Sequence, residues 1–231
     1  MPSPRLNLAA IEEALRRVQE QFPRINKLLR QPRDRMDDSV VSNMMTGYAF
    51  LDAALSESLN FFEPGNLKSL LELNARVLCG SDPQERQLSA RHIQATEEHF
   101  YDDSRSGIRD IVEWYDVHQG ESVWKRAAGV YVRILSEPQL FIEGNHRTGA
   151  LIMSYILARE GQPPFVLTLD NARAYFDPSS VITKLKKKSV AMLFCMPKIK
   201  KSFAEFLKQQ ADSRLLASAV EDRVLATPRG S

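Results

Sequence analysis

The chain has 231 residues, of which 43% are hydrophobic and 26% charged, proportions that are typical of a folded globular protein and exclude a disordered one. The formal net charge of +2 is too small to indicate a nucleic-acid-binding protein, and no apolar run reaches the roughly 20 residues needed to cross a bilayer. The chain starts without a signal-peptide pattern, and Cys79 and Cys195 lie in apolar contexts, so we expect a cytoplasmic protein with reduced thiols.

Hydrophobic residues recur at helical spacing along most of the chain and predict six helices. We expect the first helix to stop at Pro23 and the third to be capped by Asn66. The sixth stripe is apolar on most sides, which predicts a central buried helix. The stripes comprise Ile11, Leu15, Val18 and Phe22; Val41, Met44, Tyr48, Leu51 and Leu55; Leu67, Leu70, Leu71 and Leu78; Ile108, Ile111, Val112 and Tyr115; Val123, Ala127, Val130, Ile134 and Leu135; and Leu151, Ile152, Tyr155, Ile156 and Leu157.

Strand signals are scarce. Residues 165–169 (FVLTL) are a short candidate after two prolines, and residues 92–107 predict a small β-hairpin because weak alternation there ends in turn residues. The fold class is therefore predicted to be mostly α. We divide the chain into an N-terminal helical arm (1–62), a core (63–210) and a C-terminal tail (211–231).

Residues 184–203 are basic with an apolar middle. Such a segment can bind a membrane surface or an acidic partner, or it can be a buried helix beside solvated lysines. Because the charges flank the apolar run instead of lining one side of it, the second interpretation is favoured.

The stretch with the most chemical content is Glu-Gly-Asn-His-Arg-Thr-Gly, residues 143–149, at the start of the sixth helix. A helix N-terminus has unpaired N–H groups and a partial positive charge, so it attracts anions. Gly144 allows a tight turn, and Arg147 offers a fork of donors suited to phosphate. Glu143 is a suitable ligand for a Mg²⁺ ion that bridges two phosphates. The stretch therefore predicts a phosphate or diphosphate site.

The longer stretch from Gln139 to Ala150 resembles the signature of Fic-domain proteins, His-Pro-Phe-x-Asp/Glu-Gly-Asn-Gly-Arg-x-x-Arg. Residues 123–135 (VWKRAAGVYVRIL) resemble the helix that precedes this signature, and the resemblance covers roughly residues 40–210. It implies a Fic/Doc-like helical fold in which the hairpin at 92–107 is a flap that holds a target peptide.

The resemblance also implies an activity. Fic proteins commonly transfer AMP from ATP to a hydroxyl of a target protein, and relatives transfer phosphocholine or phosphate. The implied metal ligand is Glu143, for Mg²⁺. The implied residues for the nucleotide donor are Gly144, Asn145, His146, Arg147, Thr148 and Gly149.

The departures from the signature concern catalysis. Gln139 stands at the general-base position and cannot accept a proton near neutral pH, and loss of a general base costs about 10²–10⁴-fold in rate. Ala150 replaces the last arginine and removes a charge-assisted contact to the outer phosphate, worth about 1.5–3 kcal/mol. Leu140 and His146 replace the proline and the second glycine.

Two interpretations follow. One is a transferase with an altered donor or reduced activity, in which Gln139 and His146 are the candidate catalytic residues. The other is an inactive Fic-fold pseudoenzyme that acts as a nucleotide- or protein-binding regulatory module. His146 can act as a base or a phosphate donor, or it can simply fill space beside a changed ligand. Neither the target protein nor the oligomeric state follows from the sequence.

Many Fic proteins carry a regulatory helix, Ser/Thr-x-x-x-Glu-Gly/Asn, whose glutamate pairs with the last arginine of the signature. The best counterpart here is residues 39–44, where Asn43 replaces the glutamate. An ordinary core helix packed through Val40, Val41 and Met44 is an equal interpretation.

Overall fold

The computed structural model describes residues 5–105, 107–187 and 189–217, which form ten α-helices and no β-sheet. The predicted mostly α, Fic-like fold class is thereby confirmed. Residues 1–4 of the predicted arm and 218–231 of the predicted tail lie outside the described residues. The helices are α1 (Leu8–Leu28), α2 (Asp38–Ser56), α3 (Lys68–Cys79), α4 (Pro83–Leu88), α5 (Ala90–Phe100), α6 (Ile108–Val117), α7 (Val123–Leu135), α8 (Asn145–Arg159), α9 (Ala172–Ile182) and α10 (Val190–Gln209).

Helix α8 lies at the centre of the molecule. Helix α7 packs along one side of it, α2 and α3 pack on others, and α10 covers α7. Of its fifteen residues only His146, Arg147 and Arg159 are not buried. The prediction of a central buried helix at this position is therefore confirmed, and its N-terminal turn is the part that retains partly exposed polar side chains.

Two predicted helix boundaries are wrong. Helix α1 continues past Pro23 to Leu28. Pro23 is exposed, so water can bind the carbonyl that has lost its N–H partner, and the helix is not forced to end there. Asn66 does not cap α3, because it lies in a 3₁₀ turn and its Nδ2 donates to the carbonyl of Asn60 (3.0 Å).

The predicted hairpin at 92–107 is also wrong. The segment is mostly α5, whose buried positions Thr96 and Phe100 are four residues apart, which is a helical spacing. Residues 165–168 have no regular secondary structure and residue 169 begins a turn, so the candidate strand does not form. The buried carbonyl of Phe165 is satisfied by two side-chain hydroxyls instead of a neighbouring strand, namely those of Tyr48 (2.8 Å) and Ser154 (2.7 Å).

The basic segment 184–203 contains the start of α10. This helix buries Met192, Phe203 and other residues on one side, but Val190, Leu193 and Phe194 are about 70% exposed. The predicted buried helix is thus buried on one side only. Within the described part of the chain, no helix combines the length and the hydrophobicity needed to cross a membrane.

Candidate functional site

The loop between α7 and α8 carries the motif and is anchored by its apolar residues. Leu140 and Phe141 are buried, and the ring of Phe141 stacks on Phe100 of α5 with 5.7 Å between centroids. His99 of α5 also contacts the loop, with its Nε2 2.8 Å from the carbonyl oxygen of Gln139. The segment predicted as a flap therefore packs on the motif loop as a helix.

Asn145 closes the loop through its side chain. Its Oδ1 accepts from the Phe141 N–H (2.9 Å), and its Nδ2 donates to the Phe141 carbonyl (2.7 Å) and to Oε1 of Gln139 (3.1 Å). The residue is buried. Both the oxygen and the nitrogen of the amide are therefore hydrogen-bonded within the loop. Asn145 thus stabilises the loop at the N-terminus of α8, which we call the mouth of α8.

Gly144 forms the turn into α8 and is shaped by α3. Its φ of 74° lies in the left-handed region, which favours glycine. A Cβ at this position would lie 3.1 Å from Nδ2 of Asn74 and 3.1 Å from Cδ2 of Leu78. The same Asn74 nitrogen donates to the Glu143 carbonyl (3.0 Å) and to Oγ1 of Thr148 (3.0 Å). Sequence reasoning missed Asn74, because a lone asparagine within a helix gives no signal.

A cavity of about 330 Å³ opens beside the first turn of α8. Most of its wall is apolar, from α1, α2, α9 and residues 165–167. No side chain of a described residue caps this helix N-terminus. Six of the predicted site residues line the cavity, namely Gln139, Glu143, Gly144, Asn145, His146 and Arg147.

Thr148 and Gly149 do not line the cavity. Thr148 is fully buried and bonded to Asn74. Gly149 allows α7 to approach, since a Cβ there would lie 2.9 Å from Cδ2 of Tyr131. These two residues therefore contribute to packing behind the site.

Glu143 and Arg147 stand on the side of the cavity nearest α3. Nη1 of Arg147 donates to the Val77 carbonyl (3.2 Å) near the C-terminus of α3, a favourable place for a cation. Burial lowers the pKa of Arg147, and the charge of Glu143 raises it in part. Arginine nevertheless stays protonated in proteins, so Arg147 keeps its positive charge on this side of the cavity, beside the carboxylate of Glu143.

The residues present fit a Mg²⁺ ion shared with a phosphate ligand. The described residues contain no cluster of three or more His, Cys, Asp or Glu side chains that could hold a metal alone. Glu143 is exposed at the rim of the cavity and would be the protein ligand. Magnesium ions commonly take one or two carboxylates and complete their coordination with phosphate oxygens and water.

His146 is held between two side chains. Its Nε2 lies 3.3 Å from Nη1 of Arg33, and its Nδ1 lies 3.3 Å from the hydroxyl of Tyr131. A guanidinium can only donate, so Nε2 is the acceptor and the ring proton is assigned to Nδ1. Burial, and then the charge of Arg33, lower the pKa of His146 to about 4. The imidazole is thus neutral at pH 7, and its free lone pair is already engaged.

This environment predicts a pH dependence of stability. The pKa of His146 in the folded protein, about 4, lies below the ordinary value of 6.5, so the unfolded chain binds more protons between these values. The contribution of His146 to the free energy of unfolding is therefore fully present above pH 6.5. It falls by up to about 3 kcal/mol as the pH is lowered towards 4. Urea unfolding at several pH values measures it. In the His146→Gln variant, the free energy of unfolding should depend less steeply on pH between 4 and 6.5, and only the contribution of the carboxylates should remain. An unchanged pH dependence would contradict the lowered pKa of His146.

Arg33, from the loop between α1 and α2, is the main residue that sequence reasoning missed. A single arginine in a polar loop gives no signal of its own, and only the fold brings it to α8. The predicted counterpart of the regulatory helix, residues 39–44, lies in α2. Asn43 donates through Nδ2 to the Leu78 carbonyl (3.2 Å) at the end of α3, and α2 presents Val40 and Met44 to the cavity.

Comparison with other proteins gives two matches. Over 121 residues the chain is 26% identical to protein adenylyltransferase fic-1 of Caenorhabditis elegans, covering 48% of this chain and 23% of that protein. A solved structure of a Fic domain containing signaling protein from Bacteroides thetaiotaomicron VPI-5482 superimposes with a TM-score of 0.50 and 13% identity, covering 87% of this chain and 86% of that one. No sequence-family profile matches. The chain therefore has a Fic-like fold, and it spans about a quarter of its curated relative.

Proposed function

We propose that this protein binds a nucleotide or another phosphate-linked donor at the mouth of α8 and transfers a phosphate-linked group slowly to a protein hydroxyl. The observation that carries the proposal is the convergence of Glu143, Gly144 and Arg147 on one side of a cavity at an uncapped helix N-terminus. This arrangement suits a ligand with phosphate groups. The relative named as an adenylyltransferase and the Fic-like fold support the class of reaction.

In this reaction the protein mainly binds and orients the donor and contributes little to proton transfer. Arg147 and the first turn of α8 would hold the phosphates, and Glu143 would hold a Mg²⁺ ion, which would supply neutralisation of the phosphate charge. Gln139 can accept a hydrogen bond from the target hydroxyl but cannot take its proton. The proton would pass to water as the hydroxyl oxygen bonds to phosphorus, while the phosphorus–oxygen bond to the rest of the donor breaks and that part leaves, as pyrophosphate when the donor is ATP. His146 is a poor base because its pKa is about 4 and Arg33 donates to its Nε2. The rate is therefore expected to be about 10²–10⁴-fold below that of a site with a general base.

A second function is a non-catalytic binding module. It is favoured by the bond between Nδ2 of Asn145 and Oε1 of Gln139, which engages the residue at the general-base position within the loop. Such a module would keep the phosphate site and give no turnover.

A panel of labelled donors tests the proposal. The protein would be incubated with Mg²⁺, cell lysate and labelled ATP, UTP, GTP or CDP-choline, with binding of each donor measured by titration calorimetry. We expect weak labelling of a protein with at least one donor. Replacing Arg147 with methionine should weaken binding of that donor about 10-fold or more, since a charge-assisted hydrogen bond is lost.

Arg159→Met is the matched control, because Arg159 lies at the other end of α8 and bonds to Asn60 (2.6 Å) at the surface. Binding without labelling would favour the binding module. Absence of binding for every donor, or equal losses in the two variants, would refute a phosphate site at the mouth of α8.

A further inference from the structure

Arg33 is a cation inside the cavity wall without a matching anion. Among the described residues no carboxylate lies within ion-pair distance of its guanidinium, whereas most of the other described arginines have one. Its partners are neutral: Nη2 donates to Oγ of Ser180 (2.7 Å), and Nη1 contacts His146. Its Nε is buried and has no hydrogen-bond partner. A buried donor without a partner is costly, and an anionic ligand beside this guanidinium would offset part of the cost of burying its charge.

The backbone holds Arg33 in this position. Asn26, near the end of α1, accepts from the Arg33 N–H (2.7 Å) and donates to the Arg33 carbonyl (2.8 Å). The N–H of Arg30 donates to Oδ1 of Asp177 (2.9 Å), which ties the same loop to α9. The guanidinium therefore has its place fixed before any ligand arrives, which lowers the entropy cost of using it.

The charges of the cavity are arranged by depth. Arg33 and Arg147 are partly buried and stand on the α9 side and the α3 side of the first turn of α8, respectively. Asp34, Arg35 and Glu143 are exposed and lie at the rim. The inner charges are thus both positive and flank the uncapped end of the helix, while the carboxylates are outside.

The residues of the remaining wall indicate what kind of group the cavity can accommodate beside the anion. The guanidinium of Arg33 lies over the ring of Phe176, and its central carbon is 5.3 Å from the ring centroid. The other aromatic residues of the wall are Phe22, Tyr48, Phe165 and Tyr175. Apolar and aromatic walls favour a planar or apolar group over a free inorganic ion. A ligand with an anionic end and an aromatic body matches both parts of the cavity.

We propose that Arg33 is a ligand-binding residue, which holds the anionic group of an aromatic phosphate ester from the α9 side while Arg147 holds it from the α3 side. The inference rests on the proposed phosphate site and adds to it a residue from outside the motif. On binding, the guanidinium exchanges its contact with the neutral imidazole of His146 for hydrogen bonds to phosphate oxygens, in which both partners are charged and which can be bidentate.

The test uses calorimetric titration of the full chain with ADP, inorganic pyrophosphate and adenosine. Arg33→Met keeps most of the length of the side chain and removes the charge. It should weaken binding of ADP and pyrophosphate about 10- to 100-fold and leave that of adenosine unchanged. Arg33→Lys should recover part of the loss, because it restores the charge without the planar fork.

Arg30→Met is the control from the same loop, since its side chain is largely exposed and lies outside the cavity, and it should change none of the affinities. If Arg33→Met leaves ADP binding intact while Arg147→Met weakens it, the role of Arg33 is refuted and the phosphate site stands. Equal losses for ADP and adenosine would show that Arg33 only shapes the wall. If neither ADP nor pyrophosphate binds the unaltered protein, the proposed role of Arg33 fails, and the panel of labelled donors decides separately whether a phosphate site exists.

Discussion

Replacing Gln139 with histidine is expected to raise the rate of protein labelling from a nucleotide donor by about 10²–10⁴-fold, the usual contribution of a general base. The change fits the site because Gln139 already lines the cavity. A neutral imidazole has a single acceptor nitrogen, so the histidine would give up the bond that Gln139 accepts from Nδ2 of Asn145 (3.1 Å) and use its lone pair for the proton of the target hydroxyl. The initial rate of labelling at saturating donor is the quantity to compare.

Gln139→Ala is the control for this experiment. It also removes the amide but supplies no base, so we expect no gain. A histidine variant that binds nucleotide as well as the unaltered protein, yet labels no faster, would mean that proton transfer is not the missing step. The binding module would then be the better description.

Replacing Asn145 with alanine is expected to lower the free energy of unfolding by about 2–6 kcal/mol. The variant leaves both the N–H and the carbonyl of Phe141 buried and without their side-chain partner, and each such group costs about 1–3 kcal/mol. Urea unfolding measures the loss. The control is Asn66→Ala, which removes a hydrogen bond to the Asn60 carbonyl in a surface turn and should cost less than about 1.5 kcal/mol.

The result separates two roles for Asn145. A residue that only binds phosphate would change ligand affinity and leave stability intact. A loss of stability without ligand shows that the amide maintains the loop, and any loss of affinity then follows from the deformed mouth of α8. A stability equal to that of the unaltered protein would contradict the structural role.

The helices were predictable where a hydrophobic stripe faced one continuous core. Helices α2, α6, α7 and α8 lie where the stripes placed them. The errors arose where tertiary contacts replaced local signals. Pro23 is tolerated on an exposed helix face. The segment predicted as a hairpin is α5, whose buried Phe100 packs against Phe141 of the motif loop.

The site was predictable to the extent that its residues are neighbours in sequence. Residues 143–147 do come together at a cavity. What the sequence could not reveal is the direction of each side chain: Asn145 turns into its own loop, and Thr148 and Gly149 face the core. Nor could it reveal Asn74 and Arg33, which lie 69 and 113 positions before their partners Glu143 and His146.

The first two helices and the loop between them supply much of the wall opposite the motif, including Phe22, Arg33, Met36 and Tyr48. The chain thus builds this cavity from two distant stretches of sequence. A truncated form starting near residue 63 would retain every motif residue but lose core residues of α1 and α2, among them Ile11, Val41 and Leu51, together with the packing of α2 on α3 and α8. Such a shortened form would lack one wall of the cavity and part of the core, so a lack of affinity there would say nothing about the intact chain.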